Sequence, residues 1–294
     1  MIWPALPYEA WRDTKDTLHM CLQIVGKVRL ALTPREPQWA NVPLHLTARG
    51  LTTTPMWGGQ VAFEILVDFI DHEVIIQTSS GQVERVPLIS RPVAEFYRDF
   101  MGRLNSLGIE VEISTTPSEV KDPIPFPDDT VHATYDPAWA GRFWSILSQV
   151  ALVMEEHRAR FRGKTSAVHF FWGSFDLSNT RYSGRSADPG PNADMIMRLS
   201  HDAEQICAGF WPGDQQLSEP AFFAYTYPKP AGIEGELVRP AGAAWNSVIG
   251  EFILPYEAAR LAGDARQAIL DFLESTYDAG ATGLGWSPDL VSSR

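Results

Sequence analysis

The stretch from Lys164 to Arg185, KTSAVHFFWGSFDLSNTRYSGR, gathers His169, Trp172, Ser174, Asp176, Thr180 and Arg181 into one strand-like run of apolar and aromatic residues. An imidazole beside a carboxylate is held in one tautomer and made more basic, which suits it to general-base work. Same-face residues of a strand differ by even numbers. His169 therefore shares a face with Phe171, and Asp176 shares the other with Trp172 and Ser174. A bulge at Gly173 would bring His169 and Asp176 together. These two form the candidate catalytic pair, His169 as base or acid and Asp176 as its orienter. The alternative is that each satisfies a hydrogen bond inside the core.

Other residues could hold a ligand. His45 and Arg49 stand four apart in VPLHLTARGLT, on one face of a predicted strand. Arg49 or Arg181 could clamp a carboxylate or phosphate with its planar fork, the competing use being a salt bridge. His132 in DDTVHATYDP, Trp211 in AGFWPG and Tyr225 in AFFAYTYPKP complete the binding candidates with Trp172 and Ser174. No metal site is assigned, because no two histidines stand at helical metal spacing and no His-x-His or His-x-Glu dyad occurs. Only an assembly from distant segments, His45, His132, His169 and His201 with Glu219 or Glu251, would supply one. WGSFD is not a Gly-x-Ser-x-Gly elbow, and there is no dinucleotide fingerprint, so the cofactor is left unknown.

The 294 residues carry a formal charge of -12 and are 45% hydrophobic, with ten Trp and fifteen Phe to fill a core. A chain this acidic, without a Lys/Arg cluster, is not expected to bind nucleic acid or anionic membranes. The two cysteines give no disulfide framework. The N-terminus lacks the pattern of a signal peptide, and no apolar run reaches membrane-spanning length. The expectation is a cytoplasmic protein with a small-molecule ligand and an undetermined oligomeric state.

These residues must be positioned by an α+β fold. Apolar spacing predicts a helix from Tyr8 to Val25 stopped by Gly26; His19, Gln23 and, where the geometry continues, Lys27 share one face, read as solvated in preference to a site. Strands are expected over 28–33, 42–52, 61–69, 73–78 and 83–88, then a helix after Pro92 and a strand over 109–113. Residues 115–130 read as a Pro-rich connector between a half of residues 1–114 and a half of residues 131–294. The second half opens with a helix capped by Asp136. Strands over 205–211, 221–227 and 250–254 and a last helix from Asp264 follow. Matching Gly26-Lys27 to Gly163-Lys164 gives both halves one plan, helix–strands–helix. That implies an internal duplication about a pseudo-twofold axis, each half an antiparallel sheet flanked by helices, with a pocket where they meet. The leading expectation is a small-molecule enzyme, and the alternatives are a non-catalytic binder of an aromatic or partly apolar ligand and an interaction protein.

WPALPYEAW, LQIVGKVRLALTP, VPLHLTARGLTT, DPIPFPDDTVHATYDP, VHFFWGSFDL, AGFWPG and EFILPY together resemble a bacterial family known only as a domain of unknown function. The resemblance covers nearly the whole chain. It implies a single architecture rather than a fusion, and it lends no reaction, cofactor or catalytic residue.

Overall fold

The computed structural model describes residues 3–291. The chain opens with α1 (Tyr8–Leu32), which does not stop at Gly26. A Cβ at Gly26 would overlap the ring of Trp172, so the glycine admits a tryptophan against the helix rather than ending it. An interior glycine costs about 1 kcal/mol, and a helix buried along most of its length outweighs that. VRLALT, expected as a strand, is therefore the end of α1. His19, Gln23 and Lys27 are buried rather than solvated.

Six strands follow: β1 (Leu44–Leu46), β2 (Gly50–Thr52), β3 (Met56–Gly58), β4 (Val61–Asp68), β5 (Glu73–Thr78) and β6 (Val83–Pro87). The predicted single strand 42–52 is a tight hairpin of β1 and β2, with Arg49 in its turn. Pro92 precedes α2 (Val93–Ser106), whose Val93, Phe96, Phe100 and Leu104 face the core. Residues 109–113, expected as a strand, have no ladder partner among the described residues. Asp136 caps α3 (Pro137–Ala159) by accepting from the Ala138 amide.

The second set comprises β7 (His169–Phe171), β8 (Asp176–Ser186), α4 (Met195–Ser200), β9 (Ala203–Trp211), β10 (Ala221–Tyr227), β11 (Ala244–Asn246), β12 (Glu251–Pro255), α5 (Tyr256–Arg260) and α6 (Ala265–Gly283). All twelve described strands join one antiparallel sheet in the order β11-β12-β10-β9-β8-β7-β1-β2-β4-β5-β6, with β3 on β4 alone. The two parts of the chain thus meet strand to strand, through β1 and β7, in one continuous sheet. Gly26-Lys27 lies inside α1 while Gly163-Lys164 follows α3, so the two pairs do not occupy equivalent places.

Alternation sorts the side chains. Leu44, Leu51, Ile65, Phe170, Leu177, Phe210, Phe222 and Leu254 form one hydrophobic cluster with Leu22, Phe100, Phe143 and Phe272 of the long helices. The other face carries Glu64, Gln77, Asp176, Ser178 and Thr180, with aromatic residues among them. Over its C-terminal part that face is roofed by α4 and the turn at 37–39, which contact each other.

Candidate functional site

The central stretch is a hairpin rather than one strand. β7 and β8 are joined by the four-residue turn Trp172–Phe175, which sets Phe171 opposite Asp176 and His169 opposite Ser178. In a continuous strand His169 and Asp176 would face opposite ways, but an even-numbered turn returns the chain on the same parity. His169, Phe171, Asp176, Ser178 and Thr180 therefore share the open face, while Leu177, Asn179 and Arg181 face the helices. Phe175 takes a left-handed backbone, φ 61°, to close the turn.

The register continues across the sheet. Thr180, Cys207 and Tyr225 are successive cross-strand partners on β8, β9 and β10. Glu251 on β12 stands one step beyond the Ala224–Phe252 pair, beside Tyr225. These side chains floor a cavity of about 500 Å³, walled by Phe171, Trp211 and Phe223 and roofed by Trp39, Ile196 and His201. A volume of this size suits a ligand rather than ordered water alone. A second cavity of about 380 Å³ adjoins it and shares Glu119, Ser174, Trp211, Asp214 and Gln216 with the first.

Glu119 is placed by α1. Gln23 donates from Nε2 to the Ser118 carbonyl at 2.6 Å and accepts from the Ser118 amide at 2.9 Å, and Lys27 Nζ donates to Ser118 Oγ at 2.9 Å. His19 Nε2 donates to the carbonyls of Trp172 (3.0 Å) and Gly173 (2.9 Å), tying the β7–β8 turn to the same helix face. Glu119 itself has φ 57°, and its carboxyl lies where a Cβ at Gly173 would be. The left-handed region is costly for a side-chain-bearing residue and clusters at functional sites. Five of the seven described non-glycine residues with positive φ (Gln38, Trp39, Glu119, Asp122 and Phe175) line the two cavities.

The electrostatics are one-sided. Glu119, Asp176, Asp214 and Glu251 line the larger cavity, and no Lys or Arg is among its described lining residues. Asp176, 8% exposed, accepts from the Ser174 hydroxyl and has no described ion-pair partner. Burial pushes its pKa from the usual 3.8 up to about 7, the Ser174 hydrogen bond pulling the other way. Glu251 is likewise raised by burial, and further by the charge of Asp176, to about 7. Glu119 is raised by burial of its carboxyl, although the residue as a whole is exposed. The neighbouring Cys207 thiol is pushed up to about 12 by burial, so it stays neutral and is a poor nucleophile. His201 stacks on Tyr225 at 6.0 Å between ring centres and meets Ser200 Oγ at 2.7 Å through Nδ1, closing one wall.

Among the residues singled out in the sequence, the cavity brings together Ser174, Asp176, Thr180, Trp211 and Tyr225, with His201 and Glu251 of the distant-segment set. His169 lies beside it on the same face, 4% exposed, its ring edge-on to Phe171 (4.8 Å) and to His45 (6.3 Å). Asp176 turns to Ser174, and no His169–Asp176 hydrogen bond forms among the described contacts. Burial lowers the His169 pKa to about 3, which makes it a poor base near neutrality. The expected His–Asp pair is thus replaced by a neutral imidazole and a carboxyl held by serine. His45 meets Arg29 at 3.5 Å outside the cavity. Trp172 packs on Gly26 in the core and donates from Nε1 to the Val42 carbonyl at 2.9 Å.

Neither arginine is free to clamp an anion. Arg49 is held by Asp68 and Asp71, both at 2.6 Å. Arg181 is 1% exposed beneath the helices, bonded to the His157 carbonyl, 3.9 Å from Glu274 and stacked on Tyr277 at 4.5 Å. Its odd-numbered place on β8 decides this. His132 Nδ1 meets Asp129 at 2.7 Å on the wall of the smaller cavity. No group of three His, Cys, Asp or Glu among the described residues is placed to hold a metal ion.

Sequence reasoning passed over Glu119 and gave Glu251 only a place in a hypothetical metal set. Glu251 carried a signal, a carboxylate opening the apolar strand EFILP. Glu119 carried none, since it is one of several charged residues in a Pro-rich connector without helix or strand period.

A family model described as a family of unknown function (DUF5996) matches residues 3–293. The chain belongs to this family. No curated protein and no solved structure gives a significant match. The match spans both parts of the sheet and the connector that supplies Glu119, so the whole cavity falls inside one family domain.

Proposed function

We propose that the DUF5996 chain is a cytoplasmic small-molecule enzyme whose acid–base groups are Asp176 and Glu251, both lining the roofed cavity. The observation that carries this reading is the pair of carboxyls, both brought to about 7 by burial, in a cavity with no described Lys or Arg on its lining. A carboxyl titrating near working pH both gives and takes a proton readily, which is what general acid–base catalysis needs. The two carboxyls do not share one proton. β8 and β12 are three strand spacings apart, roughly 14 Å at the backbone, and Glu251 lies in the Thr180 row, offset along β8 from Asp176, which leaves room for a ligand between them. Ser174 orients the Asp176 carboxyl.

A second reading, a non-catalytic binder for a partly apolar ligand, draws on the walls formed by Trp39, Phe171, Trp211, Phe223 and Tyr225. The two separate in one experiment. Wild-type protein and Asp176→Asn are incubated with a desalted cell extract to which the small-molecule fraction is returned, and metabolites are followed by mass spectrometry. A metabolite consumed by wild type and spared by the variant supports catalysis. Equal consumption by both, or by neither, removes catalysis and leaves the binder.

The proposal includes the internal duplication. Its support is that strands run outward from the β1–β7 seam nearly in sequence order on both sides, each set preceded and followed by a long helix. His45 and His169 are paired at that seam.

A further inference from the structure

We infer that the ligand of the larger cavity is a linear diamine or polyamine, its nitrogens at the two acidic poles and its methylene chain on the floor between them. This deepens the small-molecule reading and rests on it. One pole is Asp176 with Glu119, at the β7–β8 turn; the other is Glu251, at the start of β12. Between them the floor carries Phe223, Cys207 and the ring of Tyr225 on the open face of β9 and β10, beside the hydroxyls of Ser178 and Thr180 on β8. Asp176 is more than nine-tenths buried, lines the cavity and has no described cationic partner, so its negative form lacks a counter-charge the chain itself supplies.

Three alternatives in charge are disfavoured by the same lining. An anion would meet four carboxyls and no described Lys or Arg. A neutral diol would make only neutral hydrogen bonds to the carboxyls, without the charge-assisted contact an ammonium makes. A monoamine would satisfy one pole only. A protonated amine donates charge-assisted hydrogen bonds to carboxylate, and aromatic faces attract the adjacent cationic end. The adjoining cavity, with Asp16 and Asp122 on its wall, offers room for a longer amine past Ser174 and Trp211.

Binding a cation favours the ionised carboxyls, so proton release accompanies it at neutral pH. Asp176 and Glu251 face Glu119, Asp214, Tyr182, Tyr225, Cys207 and His201 across the cavity. Of these, only the imidazole becomes positively charged.

Isothermal titration at pH 7 in two buffers of different ionisation enthalpy tests the inference, with 1,6-diaminohexane, hexylamine, 1,6-hexanediol and adipate as probes. The diamine is expected to bind at least about tenfold tighter than the monoamine, and tighter still than diol and adipate, with net proton release. Glu251→Gln should reduce the diamine to the monoamine's affinity. Equal affinity of diamine and monoamine, preference for diol or adipate, or binding of none of the four overturns the ligand class. A carbon-13 side-chain titration of the free protein keeps the two proposals apart. Asp176 and Glu251 titrating near 7 without amine binding removes only the diamine. Both titrating near 4 removes the acid–base reading beneath it.

Discussion

The open face of this sheet is built twice, with different outcomes. On the β1–β6 side Glu73 pairs with Arg85 and Asp68 with Arg49 at 2.6 Å, while Glu64, at a partly exposed position, accepts from Thr52 at 3.3 Å and from Gln77. That part is partly exposed to solvent and behaves as ordinary sheet surface. On the β8–β12 side the same face is roofed by α4 and the Trp39 turn, and its carboxyls have no described cation beside them. One strand architecture thus gives an open surface of paired or solvated charges on one side and an acidic cavity on the other. The difference lies in the roof and in where the basic residues fall. Covering a carboxyl without pairing it raises its pKa, whereas pairing it holds the charge.

Installing a counter-charge should erase that contrast. Ser178, 2% exposed on the cavity floor, replaced by Lys would set an ammonium beside Asp176. Asp176 should return toward the ordinary carboxylate range in a carbon-13 titration, and diamine affinity should fall on the order of 100-fold. Asp176 still titrating near 7 in a folded variant would mean that the missing cation is not what distinguishes the two sides.

A smaller effect is expected from removing the charge itself. The folded pKa of Asp176 is about 7 against an ordinary 3.8, so the stability its neutral form contributes is full below about 4 and lost as pH rises to about 7. Asp176→Asn cannot ionise. It should match wild type near pH 4 and exceed it by on the order of 2 kcal/mol at pH 8, read from urea unfolding. The buried His19, His157 and His169, with pKa values lowered by burial, act in the opposite sense, losing stability as pH falls below 6.5. They are present in both proteins and cancel in the difference. A pH-independent difference would sink this account.

The smallest effect belongs to the other side. Glu64→Gln removes a charge from a partly exposed, hydrogen-bonded position and should change stability by less than about 0.5 kcal/mol at either pH. A response as large and as pH-dependent as that of Asp176→Asn would show the two sides to be equivalent.

Local pattern made much of the fold legible. β4, β5 and β10 follow from alternation and β-branched content, and α2 and α3 from apolar stripes with Pro92 and Asp136 at their starts. Failures arose where the deciding partner is remote in sequence. Gly26 carries the usual mark of a helix end, and only the Trp172 ring against it explains why α1 continues. His19, Gln23 and Lys27 suggest a wet face until Ser118 and the 172–173 turn are laid on them.

The candidate site divides in the same way. Ser174, Asp176, Trp211 and Tyr225 stood out because reactive or aromatic side chains in strand-like runs are visible in one dimension. Their grouping depended on the parity of one turn, which also sent Arg181 to the helix side.

By itself, then, the sequence determined an α+β chain with strong aromatic content, an excess of acid, and the stretch in which Asp176 lies, since propensity, period and net charge are properties of neighbours along the chain. The tertiary structure alone decided that Glu119 and Glu251 join Asp176 in one cavity and that the basic residues lie elsewhere. Strand order, turn parity and the desolvation that shifts a pKa all depend on which distant segments are brought together, and no local pattern encodes that.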